Sequence, residues 1–144
     1  MNLHEIFLPV HLITLAYVAW TIIHADHMAF SWIRGKAARL DEQKVKRLHL
    51  HTWYGLIGMI VTGLLMFIPL HEFLLTRVQF YVKMAFVLGL VINGFAIGHL
   101  QKVAFNKSFK ELSTREKIPL FISGAVSTLC WLGAAAGGFY LLPD

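Results

Sequence analysis

Charge is scarce in this chain of 144 residues and cysteine is almost absent: 15% of residues are Asp, Glu, Lys or Arg, and Cys130 is the single thiol. One cysteine excludes an intrachain disulfide, a CxxC redox pair and a cysteine-based zinc site. The shortage of charge excludes a soluble enzyme. With 57% of residues apolar and a mean hydropathy of +0.62, too little polar side chain remains to cover a water-soluble domain of this size. Phosphate loops, GxGxxG, GxSxG and HExxH are all missing, as are internal repeats, low-complexity tracts and any linker long enough to tether a second domain.

What the chain does have is four long apolar runs separated by three polar segments, at about 6–33, 51–68, 78–99 and 118–142. Each is of the length that crosses a hydrocarbon core of about 30 Å, and the first exceeds the ~20 residues required. The expected fold is an all-α integral membrane protein, a bundle of four transmembrane helices forming one domain over 1–144. The opening "MNLHE" has no Lys or Arg and no convincing cleavage site follows, so the first run reads as a retained span. The second run is expected to stop at Pro69, with "LDEQKVKRL" as a short helical extension before it. The fourth is expected to open at Ile118 and Pro119, with proline in the first turn where its missing N–H costs nothing.

The formal charge of +5 does not mark a nucleic-acid surface, because the basic residues sit between the runs. Segment 34–47 holds six (Arg34, Lys36, Arg39, Lys44, Lys46, Arg47) and segment 102–117 holds five (Lys102, Lys107, Lys110, Arg115, Lys117). The 69–77 connection has Arg77 alone. The positive-inside rule then places both basic loops in the cytoplasm and both termini outside.

Histidine is the unusual abundance, with eight residues, as many as all the acids together. On this topology His24, His27, His49, His51 and His99 share one level near the cytoplasmic side. His11 lies about 20 Å along the first helix from His24, and His4 and His71 are interfacial on the outer side. Ile13, Tyr17, Trp20, His24 and His27 recur at steps of four and three and form one stripe, an aromatic wall beside two imidazoles. His51 is favoured over His49 because Gly55 and Gly58 lie on its side of the helix, where a flat ring or a neighbouring backbone can approach closely. Imidazoles from different helices at one depth are what a six-coordinate haem or a compact metal site requires. The plainer alternative for a helix-end histidine is hydrogen bonding to water and headgroups, and it is the leading reading for His4 and His71. Asp26 diverges from its histidine neighbours on a helix and is at most an orienting residue.

Lys83 is a cation roughly two turns into the third run, where an ionisable group faces the bundle interior or snorkels outward. A His11–Lys83 pair suits a carboxylate, a propionate or a quinone carbonyl. Asn93 reads as an interhelical hydrogen-bonding residue, and Ser123, Ser127, Cys130, Ala134 and Gly137 as a small-residue packing seam.

Taken together, His11 early in the first span, a glycine-rich second span entered from a basic loop, Lys83 in "FYVKMAFVLGLVINGF" and "REKIPLFISG" opening the fourth resemble small four-helix bacterial membrane proteins of the HemJ-type protoporphyrinogen oxidase and CopD-like groups. The resemblance implies a bound b-type haem and a functional pair at the matching positions, His11 and Lys83. The supply of His24, His27, His51 and His99 is similar instead to that of four-helix b-type cytochromes. The expectation is therefore a multi-pass protein of the bacterial inner membrane that binds haem b through two of those four histidines, with Tyr17, Trp20, Gly55 and Gly58 against the macrocycle. It would move electrons to or from quinone or a partner redox protein, as a membrane oxidoreductase or as an electron carrier, alone or as a homo-oligomer. The alternatives are protoporphyrinogen IX oxidation through His11 and Lys83, a histidine-based metal-ion carrier, and a structural subunit of a membrane complex.

Overall fold

The computed structural model describes residues 2–141. It is all-α over those residues: α1 (Leu3–Ile33), α2 (Glu42–Leu75), α3 (Val78–Leu100), the short α4 (Val103–Asn106), a 3₁₀ turn (Phe109–Glu111) and α5 (Thr114–Tyr140). Four of these helices are long and apolar enough to cross a membrane, and the chain is a multi-pass membrane protein. At about 1.5 Å per residue, α1 and α2 are each well over 40 Å long and extend beyond the hydrocarbon layer.

The helix ends follow local chemistry. Gly35, at φ +75°, lets its N–H reach Trp32 O at 3.1 Å while Lys36 N–H reaches Ser31 O at 2.9 Å. This pair of bonds is a Schellman closure, which needs a left-handed residue at that position. Asp41 Oδ1 accepts from the N–H groups of Gln43 and Lys44 at 3.0 and 3.2 Å, so the extension read from "LDEQKVKRL" is the capped first turns of α2.

The expected boundaries at Pro69 and Ile118 each move by about a turn or more. α2 does not stop at Pro69 but continues through it to Leu75. The ring removes one helical N–H donor, yet the flanking "FIPLHEFLL" stays helical, as proline-containing membrane helices do. α2 ends where new donors meet its last carbonyls: Thr76 Oγ1 donates to Phe73 O at 2.7 Å and Tyr81 OH to Leu75 O at 3.0 Å. α5 starts four residues before Ile118, because Ser113 N–H donates to Glu116 Oε2 at 3.2 Å in an S-x-x-E capping box. Pro119 therefore lies in the second turn. α3 runs one residue beyond the expected 78–99, and residue 142, the expected end of the fourth span, lies outside the described residues.

The chain divides into two compact units, Met1–Leu70 with Ala104–Glu111, and His71–Val103 with Leu112–Asp144. In the first, α1 and α2 pack antiparallel through a ladder of polar and small side chains. Its rungs are His11 with Thr62, Thr14 with Gly58, Val18 with Gly55, and Thr21 with Thr52. Both partners advance by three or four residues per rung, which keeps them on facing sides of the two helices. Val18 is fully buried, and Thr21, Leu56 and Trp32 nearly so. At the far end of α1, Trp32 Nε1 donates to Lys107 O at 3.0 Å and its indole meets the Phe109 ring edge-on at 5.3 Å. Leu40 N–H donates to Ala104 O at 2.9 Å. The segment after α4 is thus fastened to the segment after α1, and basic residues of both connections share one end of this unit.

In the second unit α3 and α5 pack antiparallel through small residues. A methyl group at Gly89 would stand 2.8 Å from Cys130 Sγ, and one at Gly133 would stand 2.5 Å from the Phe86 ring. Ser123 and Cys130 serve the packing expected of them, and Gly133 takes the close contact beside Ala134. Asn93 Nδ2 donates to Ser123 O at 3.1 Å and Ser123 Oγ donates to Asn93 Oδ1 at 2.8 Å, the interhelical role read for Asn93. Asn93→Leu removes both bonds and leaves the buried Ser123 hydroxyl without this acceptor. A loss of about 1–3 kcal/mol is expected, read as a lower denaturant midpoint in mixed micelles.

Candidate functional site

The imidazoles fall in two groups. His4, His11, His24, His27, His49 and His51 belong to the first unit, and His71 and His99 to the second. His11 and Lys83 are likewise divided between the units.

His11 is the one buried residue among the expected histidines and Lys83, at 8% exposure. Its Nδ1 lies 2.6 Å from Thr62 Oγ1, and the same hydroxyl lies 2.7 Å from Gly58 O. A carbonyl can only accept, so the single hydroxyl proton of Thr62 goes to Gly58 and Nδ1–H of His11 donates to Thr62. In the neutral ring this tautomer puts the lone pair on Nε2. Gly63 lies beside the ring, where an added methyl group would be 3.7 Å from Cε1. Thr62 was not singled out from sequence. The spacing of Thr52, Gly55, Gly58 and Thr62 along one face of α2 is the signal that identifies it.

The second built arrangement joins Tyr17 to His51. The phenol oxygen lies 2.5 Å from His51 Nδ1, the two rings meet edge-on at 6.1 Å, and Tyr54 meets His51 edge-on at 6.2 Å. His51 is half-buried and Tyr17, Trp20 and Tyr54 are exposed. With Nδ1 engaged by Tyr17, the nitrogen of His51 suited to a ligand is Nε2. Tyr17 therefore orients an imidazole in addition to offering a ring face.

Tyr17 apart, the stripe of Ile13, Tyr17, Trp20, His24 and His27 does not face α2. Ile13 is 70% exposed and Trp20 is 64% exposed, and His24 and His27 are also exposed. The packing face is His11, Thr14, Val18 and Thr21, one residue onward from the stripe at Tyr17 and Trp20 and so turned by roughly 100°. Trp20 and His24 pair with each other: their rings are 4.2 Å apart and tilted by 45°, while His24 Nδ1–H donates to Trp20 O at 2.9 Å. His49 Nε2 accepts from Trp53 Nε1–H at 3.1 Å, which sets it aside from His51 on the same helix. Asp26 and His99 are exposed. The space opened by Gly55 and Gly58 is taken by Val18 and Thr14, so at these positions the close neighbour is α1. Among the described residues no group of three or more His, Cys, Asp or Glu is placed to hold a metal ion.

Lys83 runs along the glycine pair of α5. A methyl group at Gly137 would stand 3.2 Å from Lys83 Cβ, and one at Gly138 would stand 3.2 Å from Nζ. These glycines make room for the lysine stem, a role not evident from either helix read alone. Comparison with family models, with curated proteins and with solved structures finds no match to this chain.

Proposed function

We propose that this protein binds haem b in the inner membrane of a bacterium, with both termini outside, and passes electrons to or from quinone or a partner redox protein. The observation that carries this reading is the Tyr17–His51 pair. An imidazole with one nitrogen held by a neighbouring hydroxyl has a fixed ring plane and presents the other nitrogen, the arrangement that axial histidines use. Tyr17 and Tyr54 provide flat, largely apolar surface beside it, and Trp20 follows Tyr17 one turn on along α1. Arg47, one turn before His51 on α2, suits a propionate. His24 and His27, in the same unit as His51, are the candidates for a second imidazole. When bound, the haem supplies reversible one-electron chemistry. The experiment is an absorption spectrum of the detergent-purified protein before and after dithionite: a Soret band with reducible α and β bands supports the reading. A colourless protein, made with ample haem, that binds zinc or copper stoichiometrically would establish the metal-carrier alternative.

A second reading, protoporphyrinogen IX oxidation, is favoured by the buried His11 with its fixed tautomer and by Lys83, whose ammonium has no hydrogen-bond or ion-pair partner among the described residues. A lysine in a span costs about 2.5–3.5 kcal/mol at mid-bilayer and less nearer the surface. On this reading Lys83→Met leaves the protein inserted but removes turnover, and Lys83→Arg restores little of it, since a planar fork does not replace a compact ammonium. Complementation of a deletion strain measures both. Full activity of Lys83→Met takes this residue out of the site.

A further inference from the structure

The end of the first unit that carries the joined connections has a lopsided charge balance. Segment 34–47 holds six Lys and Arg, and segment 104–111 adds Lys107 and Lys110, against three carboxylates, Asp41, Glu42 and Glu111. Each carboxylate is engaged locally. Asp41 caps α2, Glu42 pairs with Lys46 one turn on, and Glu111 accepts from Ser108 N–H at 3.0 Å. The excess is eight cations over three anions, or five charges, and all eight cationic residues are exposed.

Three observations place that charge at a bilayer surface. Arg34 follows the last residue of α1 directly, and Lys44, Lys46 and Arg47 lie in the first two turns of α2. The cations therefore begin where the spans end. Exposed apolar side chains adjoin them: Phe30 is 56% exposed with the Arg34 guanidinium 5.9 Å from its ring centre, and Leu50 is 48% exposed. The Trp32–Lys107 and Leu40–Ala104 bonds hold the second segment against the first, so the two sets of cations act on one area.

We propose that this end of the protein is a binding surface for anionic phospholipid headgroups, and that the fastening of the two segments favours a lipid carrying two phosphates over one carrying a single phosphate. Cations flush with the apolar surface of a span meet lipid phosphates at their own depth. Each basic residue near such a surface strengthens binding roughly fivefold.

The test uses the full chain in detergent, titrated with cardiolipin, phosphatidylglycerol or phosphatidylcholine and read by native mass spectrometry, with inorganic phosphate as a competitor. Cardiolipin is expected to be retained best and phosphatidylcholine at least about tenfold more weakly. Lys107→Gln with Lys110→Gln is expected to lower cardiolipin retention by about tenfold or more, while the positive-inside bias set by segment 34–47 is kept. Trp32→Phe retains every charge and most of the ring but deletes the N–H that holds Lys107 O, and is expected to narrow the preference for cardiolipin over phosphatidylglycerol. Equal retention of phosphatidylcholine and cardiolipin overturns the proposal. Displacement by inorganic phosphate assigns the surface to soluble phosphate and overturns the lipid assignment. An unchanged preference in Trp32→Phe overturns the role of the fastening.

Discussion

On the proposed haem reading, His51→Ala is expected to abolish the low-spin b-type spectrum, or to convert it to a high-spin one, because deleting a ligating imidazole would open a coordination position on the iron. The prediction follows from the Tyr17–His51 bond, and Tyr17→Phe provides its graded companion. With the phenol gone the imidazole remains but loses its orienting partner, and haem affinity is expected to fall by about 10–100-fold with the spectral type retained. His4→Ala and His71→Ala, which the proposed topology puts at the outer interface, are expected to leave the spectrum unchanged. The informative contrast is with His11→Ala. If that variant alone loses the haem while His51→Ala keeps it, His11 is the ligand and the protoporphyrinogen oxidase reading replaces the electron-transfer one. Dithionite-reduced spectra of the purified variants, normalised to protein, separate these outcomes.

Gly55→Ala is expected to be the most damaging single methyl addition to the first unit. The new carbon would stand 2.0 Å from Val18 Cγ2 and 3.3 Å from Val18 Cβ, well inside van der Waals contact. Valine in a helix has one strongly preferred rotamer, so the clash is not relieved by a simple rotation and the helices must separate. Overpacking of this kind costs about 1–3 kcal/mol, and at this overlap the upper end is expected even after the roughly 1 kcal/mol that alanine gains over glycine in a helix. Separation also disturbs the neighbouring His11–Thr62 and Tyr17–His51 bonds, so any haem affinity should fall with stability. Val18→Ala combined with Gly55→Ala removes the opposing methyls and is expected to recover most of the loss. Denaturant midpoints of the two single variants and the double form a cycle whose coupling term reports this contact. Additive effects would show that the Val18–Gly55 rung is not what Gly55 is there for.

The ladder that these experiments probe explains why some of the candidate site was legible in the sequence and some was not. Asn93, Ser123 and Cys130 were readable as helix-packing residues because a polar or small side chain in a span has few other uses. The histidine and aromatic stripe of α1 was readable as a stripe, but its direction was not. Chemistry pointed inward toward a cofactor, whereas shape complementarity pairs the next residues round the helix, Thr14 and Val18, with the glycines of α2. Thr62 shares a face of α2 with Thr52, Gly55 and Gly58, but that spacing names no partner; the imidazole 2.6 Å away comes from another helix.

What the sequence determined by itself is the class, the number of membrane-length helices and the clustering of basic residues between them. These depend on runs of twenty or so residues, and the cost of burying charge or unpaired backbone in hydrocarbon is large enough that no tertiary contact reverses it. Only the tertiary structure decided which face of each helix is inside, which histidine nitrogen is held, and that Trp32 joins two basic segments far apart in the chain. The exposed and packed faces of α1 have nearly the same hydropathy, because in a bilayer both meet apolar surroundings. Packing is then decided by steric fit and a few hydrogen bonds between helices, and those are properties of pairs of segments that neither segment carries alone.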